Sequence, residues 1–150
     1  MSGVNEIKLE FKSKADNVAI ARSLIAAVVA QVDVRLSELE EIKLAVSEAV
    51  TNAVIHAYPG AEVGLIIMTV RLDRMFLAVK IEDFGCGIAD IRRALEPGVS
   101  DNDESMGLGF SFMQAMTDRL EVSSTVGEGT IVYMEKLFGE AAAGGLADEQ

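Results

Sequence analysis

The chain has 150 residues, the size of one typical domain, and a fold of this length can bury roughly 70% of its unfolded surface. Half of the residues are hydrophobic and a quarter are charged, a composition that excludes a disordered chain. Acidic residues outnumber basic ones by 24 to 13, which gives a formal net charge of −11. This balance argues against nucleic acid as a direct partner, because phosphate binding requires clustered Lys and Arg.

The single cysteine and the hydropathy of the chain indicate its environment. Cys86 has no second cysteine with which to form an intramolecular disulfide, which fits a reducing compartment. No charged-then-apolar leader opens the sequence, and the longest apolar stretch, residues 19–32, contains Arg22 and is too short to span a bilayer. We therefore expect a cytoplasmic protein that has no membrane partner.

The first half of the chain predicts one strand followed by two helices. Residues 7–11 alternate apolar and polar side chains, the pattern of a half-buried strand. Residues 15–32 form an Ala- and Val-rich run of helical length. A second helix is predicted from Ser37, which has the spacing of a capping box with Glu40, to about residue 58, where a Pro-Gly pair ends it.

The second half predicts two hairpins separated by a loop and further helices. The acidic, unpatterned residues 97–105 indicate a flexible loop, and residues 139–150 a disordered acidic tail. The order of elements predicts an α+β fold, in which helices cover one face of a mixed or antiparallel sheet. The other predicted elements are strands at 65–72 and 76–82, a short helix at 89–95, a helix at 110–118, and strands at 120–126 and 130–138.

Glu48 and Asn52 of the second helix lie one turn apart, on the side away from its apolar stripe. An ordinary solvated face is one interpretation of this pair. However, Leu44, Ala45 and Ile55 flank it, so the face is not uniformly polar. A carboxylate and a carboxamide at this spacing can also share chemical work: the Glu accepts a proton, and the Asn oxygen ligates a hard cation such as magnesium.

Asp83 opens a glycine cluster that directly follows a predicted strand. Gly85 and Gly87 permit positive φ angles and close approach of a ligand, and an acceptor-only Asp can receive a hydrogen bond from an exocyclic amine such as that of adenine. The alternative is a tight turn capped by Asp83. Cys86, between the glycines, is expected to be a small packing residue, because no base stands beside it.

Two further features allow more than one interpretation. Gly107 and Gly109 precede a predicted helix, and helix N-terminal amides reached through glycine form an anion site suited to phosphate. An ordinary loop-to-helix junction has the same pattern, and residues 127–130 by themselves indicate only a hairpin turn. His56 is the only histidine, and with no second His or Cys to join it we expect packing or capping rather than metal binding.

The order and spacing of these clusters together resemble the sequence boxes of the GHKL ATP-binding superfamily, which includes gyrase and histidine kinases. Within it the chain is most similar, over residues 7–136, to the anti-sigma F factor family of spore-forming bacteria, serine kinases of the SpoIIAB type. The residues that carry the resemblance are Glu48-Ala49-Val50-Thr51-Asn52, Asp83-x-Gly85-x-Gly87, Gly107-x-Gly109, Gly129-Thr130 and the pair Ala21-Arg22.

The resemblance implies the Bergerat fold, a two-layer α/β sandwich that holds Mg-ATP or ADP beneath a mobile lid, in residues 1–138. It also implies a homodimeric anti-sigma factor that sequesters a sigma factor and phosphorylates a serine of a STAS-type anti-anti-sigma protein. Arg22 would contact the sigma factor; a snorkelling helix arginine is the alternative. By the same resemblance Glu48 would be the base, Asn52 the magnesium ligand, Asp83 and Thr130 the adenine contacts, Gly85 and Gly87 the residues that admit the nucleotide, and Gly107 and Gly109 the source of phosphate-binding amides.

The segment that corresponds to the lid departs from the family pattern. Residues 97–106 contain three acidic residues and no Lys or Arg, and acidic groups near a triphosphate raise its electrostatic cost unless Arg92 and Arg93, just before them, compensate. A nucleotide-responsive sigma-binding module without kinase activity therefore stands beside the kinase as an alternative. The stress-response anti-sigma kinases share the same boxes and are a second alternative, and a plain GHKL ATPase or a phosphohistidine-directed kinase half is a third.

Overall fold

A computed structural model describes residues 4–60, 63–96 and 104–138 of the chain. Residues 97–103 of the loop predicted at 97–105 lie outside the described residues, as does the predicted tail at 139–150. Residues 104 and 105 belong to a helix, so the loop prediction is wrong for these two. The elements are, in chain order, β1 (Asn5–Lys12), α1 (Asn17–Val29), α2 (Leu36–Asn52), a π-helical segment (Ala53–Ala57), β2 (Leu65–Leu72), β3 (Phe76–Asp83), α3 (Ile91–Leu95), α4 (Glu104–Met116), β4 (Arg119–Thr125) and β5 (Gly129–Leu137).

The strands form one sheet in the order β1-β2-β3-β5-β4. Every neighbouring pair is antiparallel, so the part of the sheet that the structure describes is antiparallel rather than mixed. β5 lies between β3 and β4, and its register places Thr130 opposite Asp83, the last residue of β3. This pairing brings together two residues that lie 47 positions apart in the sequence.

One face of the sheet is covered by helices, as predicted for the α+β fold. Alternate residues of the strands point inward, and those of β2 and β3 are almost completely buried. The apolar stripe of α2 and the inner sides of α1 and α4 complete a single core. The core residues at its centre include Ile25, Ile42, Val46, Ile66, Met68, Val79, Phe110 and Met134. In the described ranges, the structure contains no helix with the length and apolar character needed to cross a membrane.

Helix α2 begins one residue earlier than predicted. Its first residue is Leu36, and the backbone N–H of Arg35 donates to Oε1 of Glu38 over 2.9 Å. The predicted capping box of Ser37 and Glu40 is therefore wrong. One hydrogen bond of the capping-box type forms two residues earlier, where the Glu38 carboxylate accepts from the backbone N–H of Arg35.

The carboxyl end of α2 also differs from its prediction. The α-helix ends at Asn52, and the π-helical segment carries the chain onward in place of a single α-helix to residue 58. Asn52 is only 8% exposed, so of the two interpretations of the Glu48–Asn52 pair the ordinary solvated face does not hold for Asn52. π-Helical turns are rare and occur frequently at functional sites.

Helix α4 contains both glycines that were expected to precede a helix. It begins at Glu104, so Gly107 and Gly109 lie inside it, and the predicted helix start at residue 110 is wrong. Each glycine costs a helix about 1 kcal/mol relative to alanine. Phe110 and Met113 of the same helix are almost completely buried, and each contributes about 2 kcal/mol on burial. Packing therefore outweighs the low helix propensity.

Lys136 joins three elements of the fold although it is a charged residue with an exposure of only 9%. Its Nζ donates to Oε1 of Glu41 in α2 over 2.9 Å and to the carbonyl of Met116, the last residue of α4, over 3.0 Å. A cation at the carboxyl end of a helix is also favoured by the helix dipole. Lys136 thus fixes the end of α4 against α2 and the sheet.

We expect Lys136→Met to lower the free energy of unfolding by about 2 kcal/mol, because hydrogen bonds to a charged group are lost while the side-chain volume is kept. Urea denaturation provides the measurement. The matched control is Lys43→Met, which removes an exposed pair with Glu40 at 3.5 Å and should cost at most about 0.5 kcal/mol. Equal losses of unfolding free energy in the two variants would contradict the role of Lys136 in fixing the end of α4.

Candidate functional site

A cavity of about 230 Å³ lies between α2, the π-helical segment and the adjacent ends of β3 and β5. Apolar side chains make most of its wall, among them Ile81, Ile88 and Val132, and α4 contributes Phe110. The polar groups are few, as in most small-molecule sites. They include Asn52, His56, Asp83, Cys86 and Thr130.

Asp83 is the buried carboxylate of this cavity. It is 8% exposed, and its Oδ1 accepts hydrogen bonds from the backbone N–H groups of Gly85 (3.1 Å) and Thr130 (3.2 Å). No donor among the described residues pairs with the other oxygen, Oδ2. The turn capped by Asp83 is therefore present, and the carboxylate retains an acceptor oxygen for a ligand.

Burial raises the pKa of the Asp83 carboxyl above its ordinary value of 3.8, although the two backbone hydrogen bonds offset part of the rise. A raised acid pKa means that the folded protein binds a proton where the unfolded chain has released it. Stability is therefore lost as the pH rises through this interval, and the loss persists at higher pH.

Asp83→Asn keeps the Oδ1 acceptor and removes the charge. We expect the variant to gain stability relative to the wild type as the pH rises from about 4 to about 7, because the loss of stability that the Asp83 carboxyl causes occurs only in the wild type. Urea denaturation of both proteins at several pH values measures the difference. A relative gain that shrinks with rising pH would contradict the assigned cause.

The glycine turn after Asp83 packs closely against two other segments. A side chain at position 85 would meet the carbonyl oxygen of Ala57 at 2.0 Å, and one at 87 would meet that of Thr125 at 2.4 Å. Gly87 also has a φ of +76°, which favours glycine. Gly87 lines the cavity, whereas Gly85 lies behind its wall, against the π-helical segment.

Cys86 was expected to be a packing residue, and this prediction is wrong. Its side chain is exposed, and its Sγ donates to the carbonyl of His56 over 3.2 Å. Its backbone N–H donates to the carbonyl of Ala57 over 2.8 Å. The turn is thus docked on the π-helical segment, and both Cys86 and His56 border the cavity.

Glu48 and Asn52 lie side by side beneath α4. A Cβ atom at Gly109 would lie 3.1 Å from Nδ2 of Asn52 and 3.4 Å from Oε2 of Glu48, so glycine permits the close approach of α4 to this pair. Nδ2 of Asn52 is buried and has no hydrogen-bond partner in the described ranges. Such a group normally finds a partner, so this amide fits a site whose ligand supplies one.

Burial raises the pKa of the Glu48 carboxyl above its ordinary value of 4.5. A carboxylate with a raised pKa is a stronger base than an exposed one. In the part of the chain that the structure describes, no cluster of three or more His, Cys, Asp or Glu side chains could hold a metal ion. Any cation here would need ligands from a bound molecule or water beside the Asn52 amide, as magnesium commonly has.

The structure brings together most of the predicted site. Asn52, Asp83, Gly87 and Thr130 line one cavity, and Glu48 adjoins Asn52. Three predicted residues lie elsewhere: Gly107 is within α4, Gly85 is behind the cavity wall, and Arg22 is on the exposed side of α1. Arg92 and Arg93 are exposed on α3, directly before the undescribed residues.

Ser124 and Phe110 are site residues that the sequence analysis missed. Phe110 closes the cavity from α4, and the Ser124 hydroxyl lies 2.8 Å from Oγ1 of Thr130. The sequence does contain an indication for Ser124. Side chains alternate between the two faces of a strand, so Ser124 lies on the same inner face of β4 as Leu120 and Val122.

A sheet covered on one face by helices, with a cavity between an Asn-bearing helix and an Asp-Gly turn, defines the class of histidine kinase-like ATPase domains. The family model of that description matches residues 11–136. The chain is 43% identical over 135 residues to the anti-sigma F factor of Pasteuria penetrans, covering 88% of this chain and 90% of that protein. It is 40% identical over 141 residues to the anti-sigma F factor of Thermoanaerobacter sp. (strain X514), covering 93% and 98%.

The chain therefore belongs to the histidine kinase-like ATPase domain family, in the group whose curated members include these anti-sigma F factors. The resemblance found in the sequence boxes is confirmed. Membership in this family implies nucleotide binding.

Solved structures support the fold. The RsbU and RsbW domains of a Mycobacterium tuberculosis protein match with a TM-score of 0.65 at 17% identity, over 89% of this chain and 32% of that one. The chain thus spans about a third of that structure. The histidine kinase domain of the Erythrobacter litoralis EL346 blue-light activated histidine kinase matches with a TM-score of 0.56 at 22% identity, over 86% and 63%.

Proposed function

We propose that the chain is a cytoplasmic anti-sigma factor that sequesters a sigma factor and uses Mg-ATP to phosphorylate a serine of a STAS-type anti-anti-sigma protein. The observation that carries the proposal is the Glu48–Asn52 pair, a carboxylate of raised pKa beside a buried amide whose Nδ2 lacks a partner among the described residues. The two relatives described above are both anti-sigma F factors, which supports the regulatory role and favours this sub-family over the stress-response type.

The residues of the cavity suit a purine nucleotide. Mg-ATP, when bound, supplies the phosphoryl group and the cation that neutralises its charge. Oδ2 of Asp83 would accept a hydrogen bond from the adenine amine, with Thr130 next to it, and the apolar wall would cover the faces of the ring. The amide of Asn52 would hold magnesium through its oxygen, the ligand type that this ion prefers.

Glu48 would act on the protein substrate. Its carboxylate would accept the proton of the substrate serine hydroxyl as the serine oxygen bonds to the γ-phosphorus and the bond between that phosphorus and the departing ADP breaks, and it would end as a neutral acid. Burial favours that neutral form, as the raised pKa indicates. Gly109 leaves room beside it, because a Cβ atom at this position of α4 would crowd both members of the pair.

The test combines nucleotide titration with a phosphotransfer assay. Calorimetry with ATP and ADP should give binding to the isolated protein, and incubation with ATP, magnesium and the cognate anti-anti-sigma protein should give one phosphoserine on that protein. Absence of any nucleotide binding would refute the proposed site. Binding without a phosphorylated product would refute the kinase activity alone.

A sigma-binding module without kinase activity is the second candidate, and two observations favour it. Gly107 and Gly109 lie within α4, where backbone amides serve the helix rather than a phosphate. Residues 97–106 also contain no Lys or Arg that would offset phosphate charge. Under this candidate the nucleotide changes the affinity for the sigma factor and no phosphoserine forms.

Arg22 offers a test of sigma binding that is independent of catalysis. It is exposed on α1, and we propose that it contacts the sigma factor in a homodimer of this chain. Arg22→Glu should reduce the sigma factor retained in a pull-down at least about tenfold, as reversal of a contacting charge typically does. Arg74→Glu, at the exposed β2–β3 turn, is the matched control and should retain it. Equal retention of the sigma factor by both variants would show that Arg22 does not contact it and is an ordinary surface residue.

A further inference from the structure

Ser124 connects the two halves of the proposed base site. Its Oγ accepts a hydrogen bond from the backbone N–H of Ile88 over 2.7 Å, lies 2.8 Å from Oγ1 of Thr130, and can donate to the carbonyl of Gly129 over 3.0 Å. Ile88 directly follows the glycine turn, and Thr130 pairs with Asp83 through its backbone. One hydroxyl therefore links the turn to strand β5.

The hydrogen-bonding capacity of the Ser124 hydroxyl limits whether Thr130 donates or accepts a hydrogen bond. A serine hydroxyl has one proton and two lone pairs, and the N–H of Ile88 occupies one lone pair. When Ser124 donates to Thr130, the proton of the Thr130 hydroxyl is directed away from Ser124 and is available in the cavity that Thr130 lines. When Ser124 donates to the carbonyl of Gly129, Thr130 donates to Ser124 instead. The orientation of Thr130 thus depends on Ser124.

Two of the three contacts of Ser124, those with Ile88 and Thr130, end on residues of the cavity wall, whereas Ser124 does not line the cavity itself. The N–H of Ile88 is part-buried, so the loss of its acceptor would leave a donor poorly satisfied and favour movement of the turn. Gly127 adds a second link, since its N–H donates to the carbonyl of Cys86 over 2.9 Å, but that bond does not reach Thr130.

We propose that Ser124 is a positioning residue for purine selection: it holds Thr130 and the glycine turn in one arrangement around the base. The inference rests on the proposed nucleotide site. An adenine ring donates from its amine and accepts at the neighbouring ring nitrogen, while a 6-oxopurine reverses both groups. Asp83 as an acceptor matches the adenine amine, and Thr130 matches the neighbouring ring nitrogen in the arrangement in which Ser124 donates to it, because its own proton is then free to donate. This discrimination requires that Thr130 be held in that arrangement.

The test uses full-length protein with serine replaced by alanine at position 124. Ser124→Ala should weaken ATP binding about tenfold, the effect of losing one part-buried hydrogen bond, and should weaken inosine triphosphate binding less. The ratio of the two dissociation constants should therefore fall. In the nucleotide-free protein, exchange of the Ile88 amide hydrogen should rise at least about tenfold.

Two further variants separate positioning from general stability. Ser123→Ala, on the exposed face of the same strand, should change neither the base ratio nor the exchange of the Ile88 amide. Ser124→Thr keeps the hydroxyl and should restore both. Binding of ATP by the wild type with an unchanged base ratio in Ser124→Ala would overturn the Ser124 proposal alone. A wild type that binds no adenine nucleotide would overturn the proposed function and base selection with it.

Discussion

Glu48→Gln is expected to slow phosphoryl transfer to the anti-anti-sigma protein by about 100- to 10,000-fold, the usual effect of removing a general base. Glutamine has the same shape but cannot take a proton at neutral pH. Nucleotide affinity should stay within about threefold, because Asn52 and the cavity wall are unchanged. Single-turnover phosphotransfer and calorimetric titration of the same preparation measure the two effects.

The pH profile of the wild type provides a second readout for Glu48. A base acts when deprotonated, so the transfer rate should rise as the pH rises through the pKa of Glu48, which burial places above 4.5. In Glu48→Gln the transfer rate should no longer rise with pH in this way. Glu40→Gln, an exposed position on the same helix, is the control and should keep both the rate and the profile. A variant at position 48 that transfers at the wild-type rate would remove Glu48 from the role of base.

The predictability of the fold follows the strength of its hydrophobic patterns. Strand β2 has the predicted bounds, because Ile66, Met68 and Val70 alternate with less buried residues over its whole length. The end of α2 was less predictable. A Pro-Gly pair indicates where a helix stops, but the change from α- to π-helical hydrogen bonding before it has no marker in the sequence.

Helix α4 is the clearest failure, and its cause is tertiary. Gly107 and Gly109 have poor helix propensity and indicate a boundary when they are considered locally. The helix nonetheless extends through them, since Phe110 and Met113 bury their side chains and Gly109 approaches Asn52 closely. The local sequence around Gly107 and Gly109 carries no information about helix α2 or about its distance from α4.

The candidate site depended on relationships that no single motif contains. Asp83 and Thr130 meet only through the β3–β5 register, and each alone has an ordinary interpretation as a turn residue. Their ordered spacing within the family boxes predicted the association. Ser124 has no place in those boxes, and the exposure of Cys86 depends on how the turn docks on Ala57. These features required the three-dimensional structure.

The final turn of the sheet contains two glycines whose substitution should have very different costs. Gly129 has a φ of +132°, and a Cβ atom there would lie 2.1 Å from the carbonyl oxygen of Asp83. Gly127 has a φ of +84°, and no described atom lies within 4 Å of its Cβ position. Both substitutions impose backbone strain, but only that at Gly129 adds a collision with the neighbouring strand.

Gly129→Ala should lower the free energy of unfolding by about 3–5 kcal/mol, and Gly127→Ala by about 1–2 kcal/mol, as measured by urea denaturation. The collision also forces apart the backbones that hold Asp83 opposite Thr130, so nucleotide affinity should fall in the first variant and remain in the second. If Gly129→Ala does not fold, Ser124→Ala, which removes the side-chain contact to Thr130, tests whether nucleotide affinity depends on the position of Thr130. Equal costs for the two glycines would mean that backbone conformation alone, and not the approach to Asp83, accounts for glycine at position 129.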